Sequence, residues 1–204
     1  MRNPDQTEHS GNKRRQILDA AYTVFSRKGF HRTTIDEIIA LAATGKGTVY
    51  NYFVNKEQLF YTLTQEISQV FETDLAAAVN AADDPLCKLR RLVRLILAFY
   101  GKHGDLWRVL MHEMRGFGND HNSRISAKMR EKYQCFFQRT IGSLEQAIAE
   151  GIAAGAIRSC DPSVAAHAVF SVLATMAFQH YIGDDSDAAA DQVTDTFLYG
   201  IAKR

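Results

Sequence analysis

Residues 33–56 have the sequence TTIDEIIALAATGKGTVYNYFVNK, and this stretch decides the fold of the chain. Apolar residues recur at helical spacing in its first half, which predicts a short helix with one apolar face. A break around Gly45 separates it from a second short helix, in which Val49 and Phe53 are four residues apart and face inward. Polar side chains cover the rest of the second helix, and such a helix fits the major groove of DNA. The stretch therefore predicts a helix-turn-helix that binds DNA.

Helix signals also occur upstream of this stretch. Residues 13–28 form an amphipathic pattern, and Gly29 follows at the point where a left-handed C-terminal cap is expected. Either Thr33 or Thr34 can cap the next helix, and Glu37 stands three residues after Thr34, as in a capping box. A longer helix with a regular apolar face is predicted downstream. Three helices and the start of a fourth are thus expected in the first third of the chain.

The order of these signals resembles the TetR family of bacterial repressors, over roughly Asn12 to Phe71. The residues that carry the resemblance are Ile17-Leu18-x-Ala20-Ala21, Phe25, Gly29-Phe30, Thr33-Thr34-Ile35, Lys46-Gly47-Thr48-Val49-Tyr50-Asn51-Tyr52-Phe53 and Lys56-Glu57-x-Leu59. Two positions depart from the family pattern, since glycine is common where Ala43 stands and serine or threonine where Gly45 stands. Glycine is a slightly weaker N-cap than serine, and Thr44 is the alternative cap.

The resemblance implies an all-α fold of about nine helices in two domains. Residues 11–71 would form a three-helix DNA-binding domain, with the helix-turn-helix proper at about 34–53. Residues 72–204 would form a larger helical domain for effector binding and dimerisation. Helix signals in this second part predict breaks at 101–104, at 116–120, at Gly155 and at 184–187, with the last helix running to Ala202.

The resemblance also implies which residues contact a double-stranded, pseudo-palindromic DNA operator. They are Thr34, Gly45, Lys46, Gly47, Thr48, Tyr50, Asn51, Tyr52 and Lys56. Lys46, Thr48 and Asn51 would reach base edges, and Gly47 would allow close approach of the helix. The tyrosines, Lys56 and the amide and hydroxyl of Thr34 would bind phosphates. One of the two tyrosines is alternatively a packing residue. A basic arm, Lys13-Arg14-Arg15, would add phosphate contacts.

The last two helices are rich in small and large apolar residues. Two such helices from each of two copies would form a four-helix dimer interface, as in the family, because the operator needs two recognition helices at a fixed spacing. The interface residues would be Ala166, Val169, Phe170, Leu173, Ala177, Phe197 and Leu198. The alternative is that these faces complete the core of a single chain.

A ligand pocket among the middle helices is a further expectation from the resemblance. Its lining would be Phe99, His103, Trp107, Met111, His112, Met114, Arg115, Tyr133, Phe136, Phe137 and Phe170, with Met176 and His167 as further candidates. Aromatic and methionine stripes at helical spacing are also typical of an ordinary core. The lining suggests a mostly apolar or aromatic small-molecule effector, and Arg115 leaves room for an anionic group such as that of an acyl thioester.

Composition narrows the class of protein. The 204 residues carry 24 Lys and Arg against 23 Asp and Glu, a net charge of +1, and the basic excess falls within residues 1–61. Three widely spaced cysteines argue against both a disulfide framework and a zinc site. No metal and no cofactor are expected. The polar start lacks the core of a signal peptide and no apolar stretch is long enough for a membrane span, which favours a bacterial cytoplasmic protein.

Enzymatic function finds no support in the sequence. Gly45-Lys46-Gly47-Thr48 lacks the hydroxyl residue that follows lysine in a phosphate-binding loop. No paired carboxylates, nucleophile–base spacing or metal-ligand cluster is evident. The prediction is a ligand-responsive, dimeric DNA-binding repressor. The alternative is a helical ligand-binding or scaffold dimer without specific DNA binding.

Overall fold

The computed structural model describes residues 4–115, 127–179, 181–182 and 185–200, of which 4–10, 113–115 and 127–129 are described by their backbone alone. These residues contain eight α-helices and no β-strand. In chain order the helices are α1 (Pro4–Arg32), α2 (Ile35–Leu41), α3 (Lys46–Tyr52), α4 (Lys56–Asn80), α5 (Pro85–Arg115), α6 (Ala127–Ala153), α7 (Pro162–Phe178) and α8 (Ser186–Tyr199). The prediction of an all-α fold is confirmed.

The chain divides into two compact units. The first consists of Met1–Ile67 with Asp105–Arg130, and the second of Ser68–Gly104 with Glu131–Arg204. Helices α4, α5 and α6 therefore each contribute residues to both units. The sequence instead predicts two continuous domains with a boundary between residues 71 and 72. That boundary remains a prediction.

An aromatic cluster forms the core of the first unit. The ring of Phe25 lies 6.0 Å from that of Phe30 and 4.9 Å from that of Phe60, and all three side chains are almost completely buried. The α1 backbone departs from helical geometry at Gly29, where φ is 78°, a value that glycine adopts without a steric penalty. This geometry turns the chain so that Phe30 packs against Phe25, and the left-handed conformation predicted at Gly29 is confirmed.

Helix α5 corrects one sequence prediction, because it runs without a break through residues 101–104. Its glycines serve close packing. A Cβ on Gly104 would lie 3.5 Å from the carbonyl oxygen of Ala177, and one on Gly101 would lie 2.9 Å from Cδ1 of Ile182. For this reason the described residues contain eight helices where nine are predicted. The break predicted at 116–120 lies outside the described residues.

Aromatic packing and ion pairs hold the second unit together. The rings of Phe71 and Phe99 stack at 4.2 Å, and Phe136 lies 5.6 Å from Phe71. On the surface, the guanidinium of Arg94 donates to both carboxylate oxygens of Asp191, at 2.8 and 2.7 Å, which ties α8 to α5. This bidentate pair raises the pKa of Arg94 and lowers that of Asp191.

The ends of the later helices largely follow the predictions. Gly155 ends α6 with φ of 71°, Asp161 caps α7, and Asp185 caps α8. Helix α7 ends at Phe178, before the break predicted at 184–187, of which residue 184 lies outside the described residues. Helix α8 ends at Tyr199, and Ala202 also lies outside them.

Candidate nucleic-acid interface

Helix α2 begins with the predicted capping box. The Glu37 N–H donates to the Thr34 hydroxyl oxygen at 3.3 Å, and the Thr34 N–H donates to the Glu37 carboxylate at 3.0 Å. The ammonium of Lys28 also contacts this carboxylate and, with the Thr34 N–H, lowers the pKa of Glu37. The amide of Thr34, expected to bind a phosphate, is therefore already engaged by a carboxylate, and a phosphate would have to compete for it.

The turn between α2 and α3 is a Schellman motif with an unusual residue. The Ala43 N–H donates to the carbonyl of Ala40 at 3.2 Å, and the Thr44 N–H donates to that of Ile39 at 3.3 Å. Ala43 has φ of 44°, in the left-handed region that disfavours side chains with a Cβ. The helix-turn-helix thus contains a strained residue at the position where the family commonly has glycine.

Helix α3 begins without a side-chain cap. Its N-cap is Gly45, with φ −85° and ψ 152°, and no side chain accepts a hydrogen bond from the first turn. The idea that Thr44 replaces Gly45 as the cap is wrong, because the backbone becomes helical one residue later. Val49 and Phe53 hold the helix in place, since they are 0% and 2% exposed. Tertiary burial, and not local capping, fixes α3.

The outer surface of α3 carries most of the predicted DNA contacts. Lys46, Gly47, Tyr50 and Asn51 are exposed, and Tyr50 is 47% exposed although it is a large aromatic residue. A Cβ on Gly47 would meet nothing within 4 Å, so its surface is open.

Two further predicted contacts on α3, Thr48 and Tyr52, are half-buried. The ring of Tyr52 lies 6.3 Å from that of Phe53. Of the two tyrosines, Tyr52 is thus the one that packs and Tyr50 the one that projects.

An acidic residue stands beside this surface. Nζ of Lys46 lies 3.1 Å from a carboxylate oxygen of Asp36, and both side chains are well exposed. An exposed pair of this kind contributes little to stability and is readily broken. Lys46 therefore reaches a base edge only by leaving Asp36.

Lys56 has a structural role that the sequence does not reveal. Its ammonium donates to the backbone carbonyls of Phe30 at 2.8 Å, His31 at 3.3 Å and Thr33 at 2.9 Å. It also lies 4.6 Å from the centre of the Phe30 ring. Lysine donates three hydrogen bonds, so these carbonyls already use its capacity. Lys56 closes the end of α1, which makes it a weaker candidate for the predicted phosphate contact.

The basic segment Lys13-Arg14-Arg15 is not a loose arm, because it lies inside α1. Arg14 pairs with Glu66 at 2.5 Å, and its guanidinium lies 5.8 Å from the centre of the Phe53 ring. Arg14 thereby covers the C-terminal end of α3 and supports the position of that helix.

The predicted pocket residues are divided between the two units. Trp107, Met111 and His112 belong to the first unit, where Trp107 is buried, Met111 half-buried and His112 exposed. Those in the second unit are Phe99, His103, Tyr133, Phe136, Phe137 and Phe170. The side chains of Met114 and Arg115 lie outside the described residues.

In the second unit, most of these side chains form a packed cluster. Phe99, Tyr133, Phe136 and Phe170 are buried, and Phe137 is 38% exposed with its ring 5.1 Å from that of Phe170. Burial, assisted by the charge of Lys102, lowers the pKa of His103 to about 4. His103 is therefore neutral at pH 7, and its ring lies 5.3 Å from that of Phe99.

A surface cavity of about 430 Å³ in the second unit was not predicted. Its walls are mostly apolar and include Arg158 and Cys160. The lining is Leu86, Ala156, Ile157, Arg158, Cys160, Asp161, Val164, Ala165, Ala168, Phe197, Leu198 and Tyr199. Sequence periodicity does not reveal the cavity, because its lining comes from separate segments of the chain.

The predicted dimer residues on α7 are used by the chain's own core. Ala166, Val169, Phe170, Leu173 and Ala177 are all buried within a single chain. A side chain already buried has little surface left to bury against a second copy. The structure therefore favours the alternative for these positions, namely that they complete the core.

The outward apolar surface of α7 and α8 lies at other positions. Val164 and Val172 are 66% and 47% exposed, and Phe197 and Tyr199 are 39% and 55% exposed. Leu198, also predicted at the interface, is half-buried. The two helices thus keep an apolar face, to which Phe197 belongs as predicted.

In residues 4–115 and the later described segments, no group of three or more His, Cys, Asp or Glu residues is placed to hold a metal ion. None of the described helices has the length and apolarity that crossing a membrane requires.

A short helix with an exposed polar face, placed by two buried anchors after a capped helix and a tight turn, defines a helix-turn-helix DNA-binding protein. Comparison with known families gives the same class. Residues 17–62 match the model of the bacterial regulatory proteins of the tetR family, and residues 82–201 match the tetracyclin repressor-like C-terminal domain. The second match covers more than half of the chain, which therefore belongs to the TetR family. It is accordingly a ligand-responsive, DNA-binding regulator of transcription.

Individual relatives agree with this assignment. The uncharacterized regulator YhgD of Bacillus subtilis is 28% identical over 170 residues, which are 81% of this chain and 83% of YhgD. The transcriptional repressor NicS of Pseudomonas putida is 29% identical, over 75% of this chain and 69% of NicS. Among solved structures, AibR in complex with isovaleryl coenzyme A and operator DNA superposes with a TM-score of 0.75 at 20% identity, covering 91% of this chain and 98% of AibR.

Proposed function

We propose that the protein is a dimeric, cytoplasmic repressor that binds a pseudo-palindromic operator through α3 and is released by a small, mostly apolar molecule. The observation that carries the DNA-binding part is the construction of α3. Two buried anchors, Val49 and Phe53, hold a helix whose outer surface presents Lys46, Tyr50 and Asn51 to solvent. NicS, which is similar over three quarters of this chain, is named as a transcriptional repressor.

Asn51 is the strongest candidate for reading a base. Its side chain is exposed, and an asparagine amide pairs with the N6 and N7 atoms of adenine through two hydrogen bonds. Lys46 would read guanine after leaving Asp36, and Thr48 would touch a thymine methyl from its half-buried position. Gly45 and Gly47 would let the backbone of α3 approach the groove.

Tyr50 is the strongest candidate for binding a phosphate, because its hydroxyl projects from an exposed ring. The hydroxyl of Thr34 keeps a proton to donate even while its oxygen accepts from Glu37, so it remains a candidate. Tyr52 and Lys56 would act mainly by positioning, since one packs near Phe53 and the other closes the end of α1.

The effector would bind in the second unit. Its aromatic cluster offers apolar surface, and the neutral imidazole of His103 offers one polar group beside it. AibR, which shares the fold, binds isovaleryl coenzyme A. An acyl thioester is therefore the first class of effector to test on this chain.

Binding of the effector would reach the DNA through α4 and α5. Both helices carry residues of both units, so a displacement in the second unit is transmitted along a continuous hydrogen-bonded helix. A typical coupling free energy of about 1–3 kcal/mol would lower operator affinity by roughly 5- to 150-fold. No catalytic step is proposed for either unit.

The test is binding to DNA that flanks the protein's own gene, measured by fluorescence anisotropy across a salt series. We expect affinity that falls steeply with salt, and a loss of about 1–3 kcal/mol for Asn51→Ala. Tyr50→Ala should weaken binding to all sequences alike. Asn80→Ala and Tyr181→Ala, at exposed positions of the second unit, are the matched controls and should bind like the wild type.

Two results would contradict the proposal. If Asn51→Ala kept both the affinity and the sequence preference of the wild type, α3 would not read the operator. If the dimer bound no genomic fragment more tightly than random DNA, the alternative of a ligand-binding scaffold would hold. A genomic selection for bound fragments decides the second case.

A further inference from the structure

We propose that a cleft in the first unit, between the end of α1 and the α5 segment after Asp105, binds the phosphate group of a small organic molecule. The cleft has a volume of about 270 Å³. It is lined by Lys28, Gly29, Phe30, His31, Arg32, Arg108, Val109 and His112. All of these residues belong to the same unit. The site is separate from the outer surface of α3 and from the aromatic cluster of the second unit.

Three basic side chains line this cleft. Lys28 and Arg32 come from the last turns of α1, and Arg108 comes from α5. Two imidazoles, of His31 and His112, complete the polar part of the lining. A phosphate monoester carries a charge of about −1.5 to −2 at neutral pH, so it balances several cations where a carboxylate balances one. A guanidinium group binds phosphate through two parallel hydrogen bonds, which favours the same class of ligand.

The cations are held near the cleft by contacts that a ligand can replace. Lys28 pairs with Glu37, and Arg108 lies 2.5 Å from Asp105. The side chains of Lys28 and Arg108 are 52% and 56% exposed, so each pair is weak in water. Because exposed pairs of this kind contribute only about 0–1 kcal/mol each, displacing the two carboxylates costs a ligand little.

The backbone at this point does not oppose an anion. The end of a helix normally exposes carbonyl oxygens with partial negative charge. Here the Lys56 ammonium binds the carbonyls of Phe30, His31 and Thr33, which neutralises that end of α1. The carbonyls at this end of α1 therefore have a cationic partner and do not face the cleft as unpaired acceptors.

The floor of the cleft indicates what is attached to the phosphate. Phe30, Gly29 and Val109 provide an apolar surface beside the cations. The opposite side of the same α5 segment buries Leu106, Trp107 and Leu110, which fixes the orientation of Arg108 and Val109. A volume of about 270 Å³ is just below the usual range for drug-sized ligands. A phosphate with a short organic part fits this size and lining.

Lys28 links the cleft to the start of α2. Its ammonium contacts the Glu37 carboxylate, which in turn accepts from the Thr34 N–H. A ligand that engages Lys28 would loosen this carboxylate at the N-terminus of α2. Ligand binding in the cleft would therefore weaken the N-terminal cap of α2, which belongs to the helix-turn-helix.

The test is equilibrium dialysis of the full chain against three probes, namely inorganic phosphate, pyrophosphate and coenzyme A. We expect saturable binding of at least one probe at one site per chain. Arg32→Gln and Arg108→Gln should each weaken it at least tenfold. Arg27→Gln removes the same charge from an exposed position of α1 outside the cleft and should leave binding unchanged. Dialysis needs no DNA, so its result is independent of the repressor proposal.

Competition between the probes identifies the source of the phosphate. If inorganic phosphate displaces coenzyme A and the two arginine variants weaken both, the cleft binds the phosphate end of a larger molecule. If inorganic phosphate binds and coenzyme A does not, the ligand is a phosphorylated molecule smaller than coenzyme A. The proposal is overturned if no probe saturates below about 10 mM, or if Arg27→Gln weakens binding as much as Arg32→Gln. It is also overturned if the two cleft variants only reduce the salt dependence of DNA binding, because the cations would then contact the DNA backbone.

Discussion

Two turns of the molecule share one hydrogen-bond pattern and differ in one residue. After α6, the Gly155 N–H donates to the carbonyl of Ile152 at 3.0 Å, and the Ala156 N–H donates to that of Gly151 at 2.9 Å. The turn after α2 repeats this Schellman pattern, with Ala43 in the place of Gly155. The glycine has φ of 71° and the alanine φ of 44°, so both backbones are left-handed. Only the turn in the helix-turn-helix carries a Cβ in that conformation.

The helices that follow the two turns also differ, because the one in the second unit has a side-chain N-cap and the one in the helix-turn-helix has none. The Asp161 carboxylate caps α7 by accepting from the N–H groups of Ser163 at 2.9 Å and Val164 at 3.2 Å. Helix α3 has only Gly45 at this position and no side-chain cap. Helix α3, the recognition helix, therefore lacks two local stabilising features of the second unit, namely a glycine in the preceding left-handed turn and a side-chain N-cap. Its position depends on the burial of Val49 and Phe53, and local departures from the best residue are typical of functional segments.

The largest effect on stability is expected from a substitution in the turn after α6, where Gly155 adopts the left-handed conformation. Gly155→Ala would force a Cβ into the left-handed region at a cost of about 1–2 kcal/mol, and the lower freedom of alanine in the unfolded chain offsets about 0.4–1 kcal/mol of it, so the free energy of unfolding should fall by about 1 kcal/mol. The measurement is urea unfolding at a fixed protein concentration. The matched control is Gly142→Ala, an exposed position inside α6 with nothing within 4 Å of a new Cβ, which should stabilise by about 0.5–1 kcal/mol. Equal effects of the two substitutions would show that the turn is not strained by a side chain.

The reverse substitution in the helix-turn-helix should stabilise it. Ala43→Gly relieves about 1–2 kcal/mol of left-handed strain and loses about 0.4–1 kcal/mol through the greater freedom of glycine in the unfolded chain. The net gain is about 0.5–1 kcal/mol. Amide hydrogen exchange should show it as slower opening of α3 at Val49 and Phe53. Faster exchange at these two amides would contradict the assignment of strain to Ala43.

A smaller gain is expected from capping the recognition helix. Gly45 has an extended backbone that any residue adopts, and a new Cβ would lie 3.7 Å from Oγ1 of Thr48, an ordinary contact. Gly45→Ser should therefore stabilise by a few tenths of a kcal/mol. Asp161→Ala, which removes the corresponding cap from α7, should cost about 1 kcal/mol. If Gly45→Ser lowered the melting temperature, the capping comparison between α3 and α7 would fail.

The smallest effect concerns pH. Lys28 and the Thr34 N–H lower the pKa of Glu37, so its contribution to stability is present above the ordinary glutamate pKa and is lost as the pH falls through the lowered value. We expect Glu37→Gln to reduce the acid-induced loss of stability between about pH 5 and pH 3. Glu131→Gln, at an exposed position of α6, is the control. Identical pH profiles of wild type and Glu37→Gln would show that the ionisation of Glu37 contributes nothing to the pH dependence of stability.

The features that could be predicted from the sequence are those fixed by neighbouring residues. The Thr34–Glu37 capping box, the turn at Gly29 and the end of α6 at Gly155 each depend on three to six consecutive residues. The apolar positions of α3 were predictable for the same reason, because helical spacing alone places Val49 and Phe53 inward. The family resemblance followed from these local patterns.

The features that could not be predicted depend on distant partners. Gly104 lies within a continuous helix, where the backbone of Ala177 approaches it closely, and Lys56 binds the end of α1 from 26 residues away. The buried face of α7 was also misjudged, since apolar residues such as Val164, Val169 and Val172 occur all around that helix. Only the packed structure shows that Val169 faces the core.

The division into two units has a consequence for exchanging modules between proteins. All three crossings between the units, after Ile67, Gly104 and Arg130, fall inside helices and not in linkers. A chimera joined within α4 would keep the helix-turn-helix but would lose Trp107 and Leu110, which are buried in the same unit. A transplanted recognition module of this chain therefore has to carry the second half of α5 with it. A chimera that transfers only the continuous N-terminal segment would leave the module without part of its core.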